Sequence, residues 1–226
     1  TPQLCAQAQV TIIVRDFRTY MPLVVKPLGT DGSEGISNAS LVRDAPALAQ
    51  RVRIIHRCFK QAAIAEEYIE GRELYIGVLG GENPWVLPPR ELRFGRTGVR
   101  APMLATFAAK WDRKYRKRWK VAFAPAKLEP RLAEKINRVC RRTFQILRLR
   151  DYARVDLRVD AQGRVFVIEA NPNPNIARAD EVALAARKAG IGYLRLIEGI
   201  VQTALSRKGA VACQYEKRWR PRRNKV

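Results

Sequence analysis

Arg154-Val-Asp156-Leu-Arg158-Val-Asp160-Ala-Gln-Gly163-Arg-Val165-Phe-Val-Ile168-Glu169-Ala-Asn171-Pro-Asn173 holds two runs of alternating side chains on either side of a turn. Ala153 to Val159 alternates strictly, Asp160-Ala-Gln-Gly163 is a turn sequence, and Val165 to Ala170 is a second strand, so the stretch reads as a β-hairpin. Successive side chains on a strand point to opposite faces. Val155, Leu157 and Val159 therefore share one face, and Arg154, Asp156 and Arg158 the other. On the second strand Val165, Val167, Glu169 and Asn171 are expected to share a face. A loop at 161–164 then sets Asp156 opposite Glu169, within a cross-strand reach of ~5 Å. Two carboxylates and an amide oxygen would converge there, a donor set that suits magnesium. A solvated hairpin with ordinary cross-strand ion pairs has the same spacing. An Asp facing a Glu without a cation repels, which favours the metal.

Working outward, residues 129–148 read as a helix. Pro130 suits its first turn, and Leu132, Ile136, Val139, Cys140, Thr143 and Leu147 follow the helical period. Residues 44–59 read as another, with Pro46 early and Leu48, Val52, Ile55 and Phe59 on one stripe. Short strands are expected at Met21–Lys26, Ala63–Tyr68 and Leu74–Leu79. Residues 81–102 read as loop with one short strand near Trp85–Leu87. Helices are expected at about 180–189 and 193–206, with Gly190 closing the first. Thr1 to Val14 reads as partly extended, and 207–226 as a basic, frayed tail.

Lys26 ends a strand and enters Gly29-Thr-Asp-Gly32-Ser33-Glu-Gly35. Glycines let backbone N–H groups approach phosphate oxygens, and a lysine adds a point charge. The Walker order is absent, and a hairpin turn has the same composition.

Charge limits the partners. Among 226 residues, 43 Lys and Arg stand against 21 Asp and Glu, a net charge of +22. That excludes an acidic self-solvating chain and admits polyanions. Lys110 to Lys120 and Tyr215 to Arg223 interleave cations with aromatics, as nucleic-acid-binding stretches do, although a solvated basic face looks alike. Hydrophobic residues at 47% can fill a sizeable core. No apolar run approaches the ~18 residues of a transmembrane helix, and no signal peptide is read. Cys5, Cys58, Cys140 and Cys213 form no CxxC pair, and with the single His56 a zinc site is not expected. Reduced thiols in a cytoplasmic protein are.

Three segments together resemble the ATP-grasp ligases, in the D-alanine–D-alanine-ligase-like branch. Leu23-Val-Val-Lys26-Pro-Leu-Gly-Thr-Asp-Gly-Ser-Glu-Gly-Ile-Ser37 is similar to that family's strand and phosphate loop. Glu66-Glu-Tyr-Ile-Glu-Gly-Arg-Glu73 resembles its nucleotide-binding hinge, and the 154–174 hairpin its metal site. Phe107-Ala-Ala-Lys110-Trp-Asp112 resembles a segment carrying a phosphate-contacting lysine. Order and spacing match from about Pro22 to Leu205.

The resemblance implies an α+β ATP-grasp fold, two lobes with ATP held between two antiparallel sheets. It places a small lobe at 1–69 and a large lobe at 70–205, followed by the basic tail at 206–226. It implies an ATP-dependent carboxylate–amine ligase working through an acyl phosphate, with amino acids among the expected substrates. Lys26 and Lys110 would hold phosphates, covered by the backbone of Gly32, Ser33 and Gly35. Glu66 would contact the adenine amino group, Glu67 and Ile69 would present backbone groups to the ring, and Glu73 would bind the ribose. Asp156, Glu169 and Asn171 would hold two Mg²⁺ (or Mn²⁺) ions, with Glu169 bridging, and Arg154 would stabilise developing charge. Related ligases carry an N-terminal domain and a first phosphate lysine before this region. Such a domain, or a second copy of the chain, is therefore among the expected partners. Asn175 stands where peptide-forming relatives often have glycine. The rival expectation is a non-catalytic nucleotide- or nucleic-acid-binding module, with weak non-specific polyanion binding and no membrane.

Overall fold

A computed structural model of the chain describes residues 20–30, 32–81, 83–95 and 104–206. These divide into two compact units. One runs to Tyr68 and takes in Arg93–Ala122; the other comprises Ile69–Leu92 and the chain from Phe123. Segment 93–122 thus counts with the first unit, whereas the sequence reading assigned it to the 70–205 lobe.

In the first unit β1 (Leu23–Pro27) is central, flanked by β2 (Leu41–Val42) and β3 (Ala63–Glu67), both antiparallel to it. Helix α1 (Ala45–Phe59) starts where Asp44 accepts a hydrogen bond from the Ala47 N–H, with a proline in its first turn. Its stripe Leu48, Val52 and Ile55 packs with Leu23, Val25, Val42 and Ala63. Each such buried side chain contributes roughly 2 kcal/mol.

The second unit is organised by β4 (Arg72–Leu79), which pairs with β5 (Trp85–Val86), β6 (Arg90–Phe94) and β8 (Tyr152–Val159). The sheet order is β7-β6-β4-β8-β9, where β7 is Val121–Pro125 and β9 Val165–Asn171. Strand β6 lies within the stretch expected to be loop. Its charges conceal a strand because they are neutralised in place: Arg90 pairs with Glu181, and Arg72 with Glu91. Two short helices, α2 (Phe107–Trp111) and α3 (Arg113–Trp119), occupy the basic run. Helix α4 (Pro130–Ile146) lays Ile136, Cys140 and Phe144 against Leu74, Ile76, Val155, Leu157 and Val159. Helices α5 (Glu181–Lys188) and α6 (Tyr193–Ser206) enclose a second cluster with Leu79 and Leu87.

The hairpin departs from its expected register in an instructive way. Asp160 accepts hydrogen bonds from the Gln162 and Arg164 N–H groups at 3.0 and 2.8 Å, so the turn spans 160–164 and Val165 faces Val159. Strict alternation from there would put Ile168 opposite Asp156. Instead the pairing steps from Leu157↔Val167 to Asp156↔Glu169, which leaves Ile168 as an unpaired bulge residue. A bulge re-aims every residue beyond it. Val165 and Val167 therefore lie on the face of Leu157 and Val159, whereas Glu169 and Asn171 lie on the face of Asp156 and Arg154. The four residues 165, 167, 169 and 171 do not share a face, contrary to the simple alternation. Gly71, just before β4, has φ +145°, and a Cβ there would come within 2.1 Å of the Val159 carbonyl oxygen, so only glycine suits the position.

Among the described residues no helix is long and apolar enough to cross a membrane. Cys58 and Cys140 are free thiols, and burial pushes Cys140 up to about 12. Cys5, Cys213, the N-terminal stretch and the basic tail lie outside the described residues.

Candidate functional site

One face of the β4–β8–β9 sheet is apolar and packs on α4; the other carries the chemistry. The register puts Glu73 opposite Arg158, Tyr75 opposite Asp156 and Gly77 opposite Arg154. Arg154 grips Asp156 with two bonds, Nε to Oδ1 at 2.6 Å and Nη2 to Oδ2 at 2.8 Å. Asp156 is 4% exposed. Burial pushes its carboxyl up to about 7; Arg154 pulls it down, and the nearby Glu169 charge pushes it further up. Glu169 is half exposed, lies 3.7 Å from Arg154 Nη2, and accepts a bond from Asn171 Nδ2 at 2.8 Å.

Asp156, Glu169 and Asn171 are thus brought together as expected from spacing, by way of the bulge. No three His, Cys, Asp or Glu side chains gather as a metal cluster among the described residues. The set is two carboxylates and an amide, all hard oxygen donors, which is what magnesium takes when phosphates complete its shell. The donors fit. Arg154 engages both Asp156 oxygens, so an ion would share them with the guanidinium.

Around the hinge, Glu73 accepts from Tyr75 Oη at 2.6 Å and from Arg158 Nη2 at 3.2 Å. Arg158 Nη1 also donates to the Ile69 carbonyl at 2.5 Å. Arg158 and Tyr75 did not enter the sequence expectations as site residues. Alternation from Glu73 through Tyr75 could have marked them. Tyr75 is buried, and that burial with the Glu73 and Asp156 charges holds its hydroxyl well above the usual tyrosine range, so it stays a donor.

In the first unit Lys26 forms an ion pair with Glu66, two residues assigned by sequence to different parts of a nucleotide. Glu67 is exposed. The loop takes positive φ at Gly32, Ser33 and Gly35. Gly35 is the constrained one: a Cβ would meet Pro27 Cγ at 2.6 Å, and its carbonyl accepts from Arg51. The loop is bound to the Lys110 segment. Trp111 Nε1 donates to the Gly32 carbonyl at 3.1 Å, and the Phe107 N–H to that of Ile36 at 3.1 Å. Lys110 sits in the last turn of α2, whose first turn is capped by the Thr106 hydroxyl. Asn175 accepts from the Ala177 N–H, a local turn after β9.

Two antiparallel sheets in an α+β chain, with a carboxylate hairpin on the larger, define an ATP-grasp fold, and solved structures agree. The D-alanine–D-alanine ligase of Bacillus anthracis complexed with ATP superimposes with a TM-score of 0.65 at 23% identity, covering 86% of this chain and 56% of that one. The enzyme from Coxiella burnetii gives 0.67 at 18% identity, over 85% and 47%. The model of the D-ala D-ala ligase C-terminus matches residues 7–202, and the chain belongs to that family. It is 31% identical over 193 residues to the D-alanine–D-alanine ligase of Pelotomaculum thermopropionicum, covering 84% of this chain and 55% of that protein. An uncharacterised Sinorhizobium fredii protein, y4sG, is 37% identical over 205 residues, 90% of this chain and 57% of the relative. The chain spans a little over half the length of these relatives.

Proposed function

We propose that this chain is the nucleotide- and metal-binding core of an ATP-dependent carboxylate–amine ligase. A substrate carboxylate oxygen attacks the terminal phosphorus of ATP, the bond to the bridging oxygen breaks, and ADP leaves. The acyl phosphate is then attacked by an amine at its acyl carbon, and phosphate departs. The observation that carries this reading is the cluster of Arg154, Asp156 and Glu169 on one sheet face, in a chain of the D-ala D-ala ligase family. Phosphoryl transfer asks a protein for positioning and charge neutralisation more than for covalent help.

Lys26 and Lys110 would hold phosphates under the backbone of Gly32, Ser33 and Gly35. Glu66, Glu67 and Ile69 would meet the base, and Glu73 the ribose. Asp156, Glu169 and Asn171 would hold two Mg²⁺ or Mn²⁺ ions, which neutralise phosphate charge. Arg154 would balance the charge that develops in transfer. The lobes proposed at 1–69 and 70–205 divide these roles, and amino acids are the substrates proposed. The cytoplasm, where ATP and magnesium meet, is the setting proposed. Because ligands raise stability by mass action, Mg-ATP at millimolar concentration should raise the melting temperature by several degrees, and EDTA should erase most of the shift. An amino-acid panel should then show which carboxylate and amine raise phosphate release. A chain that neither shifts with Mg-ATP nor releases phosphate would refute the reading.

A second reading, polyanion binding, is favoured by one feature. Arg113, Lys114, Arg116, Lys117 and Arg118 lie on the seven residues of α3, with Asp112 capping it, and no ion pair is found for them among the described residues. Expected is weak binding to single-stranded nucleic acid that collapses between ~50 and ~200 mM salt by counterion release. Filter binding across that range checks it; tight binding at ~200 mM salt lost in Trp119→Ala would instead mark a dedicated surface.

A further inference from the structure

Tyr75 sits at the centre of the polar sheet face, yet belongs to none of the segments assigned to nucleotide or metal. Its side chain has neighbours on every side. The residue is 3% exposed, and its ring meets Phe123 edge-on, centroids 5.1 Å apart at 78°. The Arg154 guanidinium carbon lies 5.2 Å from the ring centroid, and the hydroxyl donates to Glu73 at 2.6 Å. The other Glu73 oxygen takes Arg158, at 3.2 Å.

We propose that Tyr75 is a positioning residue with two distinct handles: its hydroxyl orients Glu73 for the nucleotide ribose, and its ring orients Arg154 for the transferred phosphoryl group. This rests on the ligase reading given above. A buried tyrosine needs a hydroxyl partner, and a backbone carbonyl would serve that need without touching a site. Here the partner is a carboxylate that already has Arg158, so the extra bond fixes the carboxylate's orientation. The ring acts independently of the hydroxyl. A guanidinium beside an aromatic ring is held by its quadrupole, and Arg154 has no other aromatic contact among the described residues.

The two handles separate experimentally. Tyr75→Phe keeps the ring and removes only the hydroxyl. It should weaken Mg-ATP binding about tenfold to a hundredfold, the worth of one hydrogen bond to a charged group, with kcat for phosphate release unchanged. Binding of Mg-2′,3′-dideoxy-ATP, which offers Glu73 no ribose hydroxyl, should hardly change, so the preference for ATP over the dideoxy nucleotide should shrink. A filler of space alone would not alter that ratio. Tyr75→Leu removes both handles and should lower kcat by about tenfold beyond the KM effect. Calorimetry with the two nucleotides and steady-state phosphate release read these outcomes. An unchanged preference in Tyr75→Phe overturns the hydroxyl role, and this near-isosteric variant decides it even if Tyr75→Leu folds poorly. A Tyr75→Leu protein with parental kcat overturns the ring role. Absence of Mg-ATP binding in the parent chain would refute the ligase reading itself, a result distinct from either.

Discussion

Glu169→Gln is expected to lose about 100-fold or more of magnesium-dependent ATP turnover while melting no lower than the parent. Removing one electrostatic contact to a transferring group typically costs two to three orders of magnitude. Glu169 would hold both ions, and glutamine keeps an oxygen for the Asn171 amide to donate to while deleting the negative charge. Stability responds differently. Glu169 is half exposed and its approach to Arg154 is 3.7 Å, so the lost ion pair is worth only a few tenths of a kcal/mol. Its charge also repels the buried Asp156 carboxylate. Neutralising it relieves that repulsion only where Asp156 is ionised in the fold, so the melting temperature should hold below about pH 7 and rise slightly above it. Parallel thermal melts and phosphate-release assays check both halves. Turnover within threefold of the parent would end the metal assignment; a large drop in melting temperature would mean the carboxylate is structural.

The parts legible in the sequence were those where local pattern and tertiary burial agree. Helices α1 and α4 announce themselves by a helical apolar stripe behind a proline in the first turn, and the stripe faces the core in both. Strand β6 was hidden because Arg90 and Glu91 look like loop residues until Glu181 and Arg72 neutralise them from distant parts of the chain. The basic run masked α2 and α3, whose caps Thr106 and Asp112 were the available signals. Strand β7 was missed beside them, a five-residue strand between a basic helix and a proline. At the site, the meeting of Asp156 with Glu169 was legible, but the reason for it was not. The turn is one residue longer than expected, and the bulge at Ile168 compensates. Bulges have no reliable local code, since they are fixed by what the strand must face. Alternation with Glu73 could have put Tyr75 on the polar face, but its role was not legible, because it depends on where Arg154 and Glu73 fold to meet it.

Arg154→Ala should produce a stability deficit that depends on pH, larger in alkali. Asp156 is buried, and removing its guanidinium partner leaves an uncompensated charge, a change that costs on the order of 3 kcal/mol where the carboxylate is ionised. In the parent, burial first and Glu169 second raise the carboxyl from 3.8 to about 7, while Arg154 opposes them. Without Arg154 the folded value moves higher still. A folded value above the unfolded one means the folded state holds the proton longer, so stability falls as pH rises from near 4 and levels off above the folded value. Parent and variant share the fall up to about pH 7; beyond it only the variant keeps losing, at roughly 1.4 kcal/mol per pH unit. The extra deficit should therefore be small at pH 6 and on the order of 2 kcal/mol at pH 9. Urea unfolding at the two pH values measures it. Adding Asp156→Asn removes the titrating group and should abolish the pH-dependent part, leaving the lost packing on Tyr75 and the weak pairing with Glu169. A deficit equal at both pH values, or a double variant as pH-sensitive as the single, would show that Arg154 does not balance the Asp156 charge.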